Sequence, residues 1–226
     1  MTRRTNARVA GVAYLAYIAL GIGSMVLNGR ANHGSGIAER LASIAQHAAD
    51  LRAALVLTLF SSFMALVLGV TLYALTREQD PDVAMMGLVF RAGEGVAGAL
   101  GLQHSLGLLW LATVTGASAP DADTARALGT LFIRAEGGGV SAVLFAVGSA
   151  CFCWLLLRGR MIPAWLAAIG FLASILWIVG CPLQMVGVLP NALTYPMWIL
   201  MAAFELPFAA WLIVKGVAPP ARMRVE

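Results

Sequence analysis

Three ionisable residues stand where an apolar sequence leaves little room for them. Arg91 and Glu94 interrupt VFRAGEGVAGALG, and Glu205 interrupts MAAFELPFAAWLIVKG. Arg91 and Glu94 are three apart, so on a helix they share a face and can form an ion pair. A carboxyl shielded from water can hold a proton at neutral pH and deliver it to an alkene, an epoxide or a carbonyl. One arginine between two glutamates leaves an excess negative charge if all three ionise, so one carboxyl is expected to carry a proton. The plainer alternative is a structural salt bridge that fixes helix register.

The elements that position these residues follow from composition. Of the 226 residues, 60% are hydrophobic and 12% charged, against about 25% charged in a soluble domain. A water-soluble fold of this size cannot bury so much apolar surface, so lipid is the expected solvent. The expected fold is all-α, a polytopic bundle of six spanning helices in a single domain over residues 1–217, followed by a short basic tail, 218–226, expected to be disordered. A span needs about 20 mostly apolar residues, and six stretches qualify: 9–27, 53–75, 83–117, a fourth that starts between 124 and 137 and ends at 157, then 163–189 and 193–214. The first could imitate a signal peptide, but no small-x-small cleavage site follows it, and it is expected to stay as an uncleaved helix. In the first outer loop, residues 28–50, Ile37, Leu41 and Ile44 are spaced by four and three. That pattern predicts a short amphipathic helix on the membrane surface.

Charge sets the expected orientation. With the N-terminus inside, Arg3, Arg4, Arg8, Arg77, Arg158, Arg160, Lys215, Arg222 and Arg224 face the cytoplasm, and only Arg30, Arg40, Arg52 and Arg126 face outward. The positive-inside rule favours that arrangement, with both termini cytoplasmic. The same pattern accounts for the net charge of +4 as an orientation signal, with no nucleic acid as partner. The expected partners are membrane lipids and a lipophilic small molecule.

Depth ties the spans to the chemistry. At a rise of about 1.5 Å per residue, Arg91 lies roughly 12 Å and Glu94 roughly 16 Å into the third span, and Glu205 about 15 Å from the inner end of the sixth. The two carboxylates therefore share a level near the midplane. Gly98, Gly101 and Ser105 continue the Glu94 face, and small residues let a helix approach or leave room for a ligand. Pro182 and Pro207 free backbone carbonyls in the fifth and sixth spans. These features predict a cavity between the third, fifth and sixth spans, floored by Arg91, Glu94 and Glu205 and lined by Gly98, Gly101, His104, Gln184 and Trp177, with Trp154 also facing inward.

Gln103 and His104, with Arg134 and Glu136, form a second polar group near the outer interface. Cys151, Cys153 and Cys181 lie in apolar runs and read as packing residues. No histidine pair has helical ligand spacing, so neither a metal nor another cofactor is expected. No internal repeat is visible, and the first three spans lack prolines to match Pro182 and Pro207, which weighs against a carrier built from two halves.

The stretches ARVAGVAYLAYIALGIGSM, FRAGEG, RGRMIPAWLAAIGFLAS and FELPFAAWLIVKG resemble, in order, a bacterial membrane family known only as domain of unknown function family 4386. The matching positions are Arg91 with Glu94, residues 160–170, and Glu205 with Trp211, Lys215 and Gly216. The resemblance implies the membrane topology and the position of the midplane site, but no activity; the expected location is the bacterial cytoplasmic membrane. The functional expectation is an intramembrane enzyme that uses a protonated carboxyl as acid on an isoprenoid- or lipid-like substrate, in outline like small membrane terpene cyclases. Glu94, Glu205 and Arg91 would be catalytic. The alternatives are a proton-coupled carrier and a non-catalytic structural or sensory protein.

Overall fold

In the computed structural model of the chain, residues 2–136 and 139–221 are described, the side chains of Ala135 and Glu136 excepted. The described residues form eight α-helices: α1 (Arg3–Ala31), α2 (Ile37–Gln46), α3 (Ala48–Thr76), α4 (Pro81–Thr113), α5 (Ala122–Glu136), α6 (Val140–Arg158), α7 (Ala164–Met185) and α8 (Thr194–Val214). Six are long and apolar enough to cross a membrane: α1, α3, α4, α6, α7 and α8. Helices satisfy their own backbone hydrogen bonds, which is why lipid-solvated chains of this composition adopt them. The protein is a multi-pass helical membrane protein. Several spans begin or end beyond their apolar windows, because polar residues such as Arg3 and Asp50 extend the helix past the stretch that hydropathy alone defines.

The predicted loop helix is present as α2. The fourth span differs from expectation. It begins only at Val140, and the segment before it is a separate amphipathic helix, α5. Ala125, Leu128, Gly129, Phe132 and Ile133 form the covered stripe of α5, at the three-and-one spacing of a helix face. Gly139 takes a left-handed φ of 57° and separates α5 from α6. The fifth span stops at Met185 rather than running on to 189. Gly187, at φ 76°, turns the chain so that Val188 N–H donates to Leu183 O at 2.8 Å, a left-handed stop that suits glycine.

The chain packs as two compact units. The first comprises Met1–Tyr17, Phe63–Val96 and Gly139–Glu226; the second comprises Ile18–Ser62 and Ala97–Gly138. Helices α1, α3 and α4 contribute residues to both. In the second unit, Ala31, Ile44, Leu51, Leu108 and Leu109 form the core. Helix α2 meets α5 there: a Cβ on Gly129 would lie 2.7 Å from Ile37 Cδ1.

The first unit holds the larger core, built from α1, α3, α6, α7 and α8 around Tyr14, Leu72, Phe152, Trp177, Phe204 and Phe208. One end of this unit gathers the N-terminus, the α6–α7 turn and the C-terminal segment. Arg3 Nη1 donates to Leu75 O at 3.4 Å and to Ala218 O at 3.2 Å, and Arg3 also pairs with Glu78. Ala218 N–H donates to Met161 O and Ala221 N–H to Gly159 O, each at 3.0 Å. Residues 218–221 therefore dock on the α6–α7 turn, where a free tail was expected; residues 222–226 lie outside the described set. The turn uses a non-glycine residue in the left-handed region, Arg160 at φ 48°, and Met161 N–H closes on Leu156 O at 3.0 Å.

Helix α1 reaches α8 through Gly11. A Cβ there would sit 2.6 Å from Ile213 Cγ1 and 2.8 Å from the backbone oxygen of Ala209. Backbone cannot step aside as a side-chain tip can, so Gly11→Ala is expected to push α1 off α8 and cost about 1–3 kcal/mol. Thermal unfolding in detergent measures this, and a variant as stable as the parent would show that the helices are not in register here.

Candidate functional site

The polar centre of the first unit is built around α4. Arg91 is fully buried and Glu94 is 4% exposed. Their separation in the chain places both on one face, and Arg91 Nη1 lies 2.8 Å from Glu94 Oε2. None of the three guanidinium nitrogens makes a hydrogen bond of regular geometry. The short separation and the missing hydrogen bond are compatible if the approach is off the N–H axis; the pairing is then mainly Coulombic.

Three other helices complete the setting of this pair. From α1, Tyr17 donates its hydroxyl to Glu94 Oε1 at 2.8 Å. The guanidinium carbon of Arg91 lies 5.4 Å from the centroid of the Tyr17 ring and 5.0 Å from that of Phe145 on α6, both within cation–π range. Ser141, also on α6, donates to the backbone oxygen of Glu94 at 3.2 Å. Glycines make room for the arginine stem. A Cβ on Gly148 of α6 would lie 2.9 Å from Arg91 Cγ, and one on Gly69 of α3 would lie 3.1 Å from Arg91 Cβ.

Glu205, on α8, is the third member. It is 4% exposed, and its Oε1 is buried without a hydrogen-bond partner. Among the described residues no ion pair within 4.0 Å joins Glu205 to a cation, although Arg91 and Glu94 both lie within its electrostatic reach. Pro207 is inside α8 one turn or less from it. Around this stretch Phe204 and Phe208 stack at 5.0 Å, and Tyr14 meets Phe208 edge-on at 5.6 Å.

The structure thus brings Arg91, Glu94 and Glu205 into one unit. Of the expected lining residues, Trp177 and Gln184 share it and Gly98, Gly101 and His104 do not. Gly98, Gly101 and His104 belong to the second unit, where His104 Nδ1 is buried without a hydrogen bond. Trp177 and Gln184 belong to the first, but their polar atoms are spent on joining α7 to the segment that follows. Trp177 Nε1 donates to Met197 O at 3.2 Å, Gln184 Nε2 donates to Pro190 O at 3.2 Å, and Thr194 Oγ1 donates to Gln184 Oε1 at 3.2 Å. Trp154, expected inside, is 42% exposed and lies against Phe171, because its position on α6 points away from the core. In the outer polar group Arg134 is exposed, and the Glu136 side chain lies outside the described residues. Among the described residues no three His, Cys, Asp or Glu side chains come together as a metal set.

A family model described as a domain of unknown function (DUF4386) matches residues 9–216. The chain belongs to the DUF4386 family. The matched region takes in Tyr17, Arg91, Glu94 and Glu205 together, so the polar centre lies within the DUF4386 domain. No curated protein and no solved structure matches the chain.

Sequence reasoning missed Tyr14, Tyr17 and Phe145. The two tyrosines had a readable signal. Tyrosine in a span normally sits at the membrane interface, whereas Tyr17 stands 14 residues after Arg3, the first residue of α1, or about 21 Å along the helix. A hydroxyl at that depth needs a polar partner. Tyr17→Phe removes the donor and leaves Glu94 Oε1 bare. The expected loss is about 1–2 kcal/mol of stability, read by thermal unfolding; an unchanged midpoint would mean that the hydroxyl contributes nothing.

Proposed function

We propose that this DUF4386 protein is an intramembrane acid catalyst in which Glu205 supplies the proton and the Arg91–Glu94–Tyr17 group is the fixed electrostatic support. One observation carries the reading: the two buried carboxyls have opposite surroundings. Glu94 has a cation at 2.8 Å and a hydroxyl donor at 2.8 Å, while Glu205 Oε1 has neither. An uncompensated carboxylate in an apolar interior is costly, and a neutral carboxylic acid is much less so. Two carboxyls driven apart in this way take different roles, one charged and one acidic.

The substrate is lipophilic, of isoprenoid or lipid type. The Glu205 O–H bond breaks as its proton adds to one carbon of an alkene, leaving a carbocation on the other carbon and a carboxylate on Glu205. Ring closure by a second alkene moves the cation. Loss of a proton from a neighbouring carbon to Glu205 forms a new double bond and restores the acid. The sequence is redox-neutral, so no cofactor enters it. The setting is the bacterial cytoplasmic membrane with both termini inside. Reporter fusions after Asp80 and Gly159 then read as cytoplasmic and fusions after Gly34 and Asp121 as external; the opposite readout reverses the orientation.

The catalytic test uses purified protein in vesicles with linear isoprenoid alkenes and epoxides, in deuterated water. Deuterium-bearing cyclised or isomerised products are expected from the parent and are lost in Glu205→Gln. Turnover that survives Glu205→Gln, or its absence from the parent across the set, contradicts the reading.

A further inference from the structure

We infer that an open groove between α1 and α3, independent of the acid site, holds one acyl chain of an anionic phospholipid whose phosphate is bound by Arg8. The groove has a volume of about 350 Å³. Its walls are Val12, Ala13 and Ala16 on α1 and Met64 and Val67 on α3, with Arg8 at one end. Apart from Arg8 the lining is hydrocarbon, and the small Ala13 and Ala16 leave the hollow that larger side chains would fill. From Arg8 to Ala16 the groove follows α1 for about 12 Å, the dimension of a partial acyl chain laid along the helix.

Charge decides which lipid. Arg4 and Arg8 are both exposed, and at a spacing of four they project from one face of α1. Arg3 is committed to Glu78, Leu75 and Ala218. Among the described residues, by contrast, no ion pair engages Arg4 or Arg8. The Arg8 guanidinium, uncompensated at the end of an apolar groove, matches a headgroup with a net negative charge, which it grips through two parallel hydrogen bonds. A choline headgroup brings its own cation and cancels that advantage. Arg8 lies one to two turns inside the start of α1, from where its long stem reaches headgroup level. Basic pockets between spanning helices bind anionic headgroups in this manner.

The test is native mass spectrometry of the full chain released from micelles containing equal amounts of phosphatidylglycerol and phosphatidylcholine with the same acyl chains. The parent is expected to retain phosphatidylglycerol about fivefold over phosphatidylcholine, the ratio given by ~1 kcal/mol per basic side chain. Arg8→Gln should bring the ratio close to one. Ala16→Leu, which keeps both arginines and fills the groove, should lose retained lipid of either headgroup. Equal retention by the parent overturns the inference without recourse to any variant. So does phosphatidylglycerol binding that persists in Ala16→Leu, which would make it surface attraction alone, or displacement of the lipid by inorganic phosphate, which would make it a simple anion site.

Discussion

Arg91→Leu is expected to lower the folded yield sharply, and adding Glu94→Gln is expected to recover part of the loss. The guanidinium is fully buried, between two aromatic rings and beside one carboxylate. Removing one partner of a buried pair leaves the other charge unpaired, at a cost of about 3–5 kcal/mol in soluble proteins. The single variant strands Glu94 with only the Tyr17 hydroxyl. The double variant removes both charges and leaves a polar amide that the same hydroxyl can satisfy. Detergent-solubilised yield and thermal midpoint across the four-member cycle give the coupling. If the double variant loses as much as the two single variants added together, Arg91 and Glu94 are not energetically paired.

Glutamine at the two buried acids should have very unequal effects. Glutamine is close in shape to a neutral carboxylic acid and unlike a carboxylate in charge. At position 205 it replaces a group whose Oε1 has no partner, so the fold should be almost unaffected. At position 94 it takes the counter-charge from a buried guanidinium that has no second carboxylate within ion-pair distance among the described residues, and a loss of about 3–5 kcal/mol is expected. Thermal unfolding of the two variants side by side reads this asymmetry. Equal losses would mean that both acids are charged and structural.

Much of the fold was legible because lipid imposes a simple rule, a long apolar run per span, and because Arg91, Glu94 and Glu205 break those runs. The i, i+3 spacing of Arg91 and Glu94 leads directly to the pair at 2.8 Å. The start of the fourth span was hidden for a physical reason. The covered stripe of α5, ending in Phe132 and Ile133, runs almost straight into VSAVLFAV, so hydropathy blends an amphipathic helix with a span. The boundary is set by backbone conformation at Gly139, which residue type allows but does not dictate. The partners of Gln184 and Trp177 depend on how the α7–α8 connection folds back, and spacing along one helix carries no information about that. Tyr17 was legible in principle, as a hydroxyl too deep to be an interface anchor, but only its partner on α4 turns depth into a role.

On the proposed reading, Glu205 holds a proton inside the bundle while Glu94 is the ionised partner of Arg91. Infrared spectroscopy of the purified protein in vesicles at neutral pH tests it most directly, because a protonated carboxyl has a C=O stretch that carboxylates lack. A protonated-acid band is expected in the parent and should disappear in Glu205→Gln. A parent without that band, or a band that persists in Glu205→Gln, would contradict it.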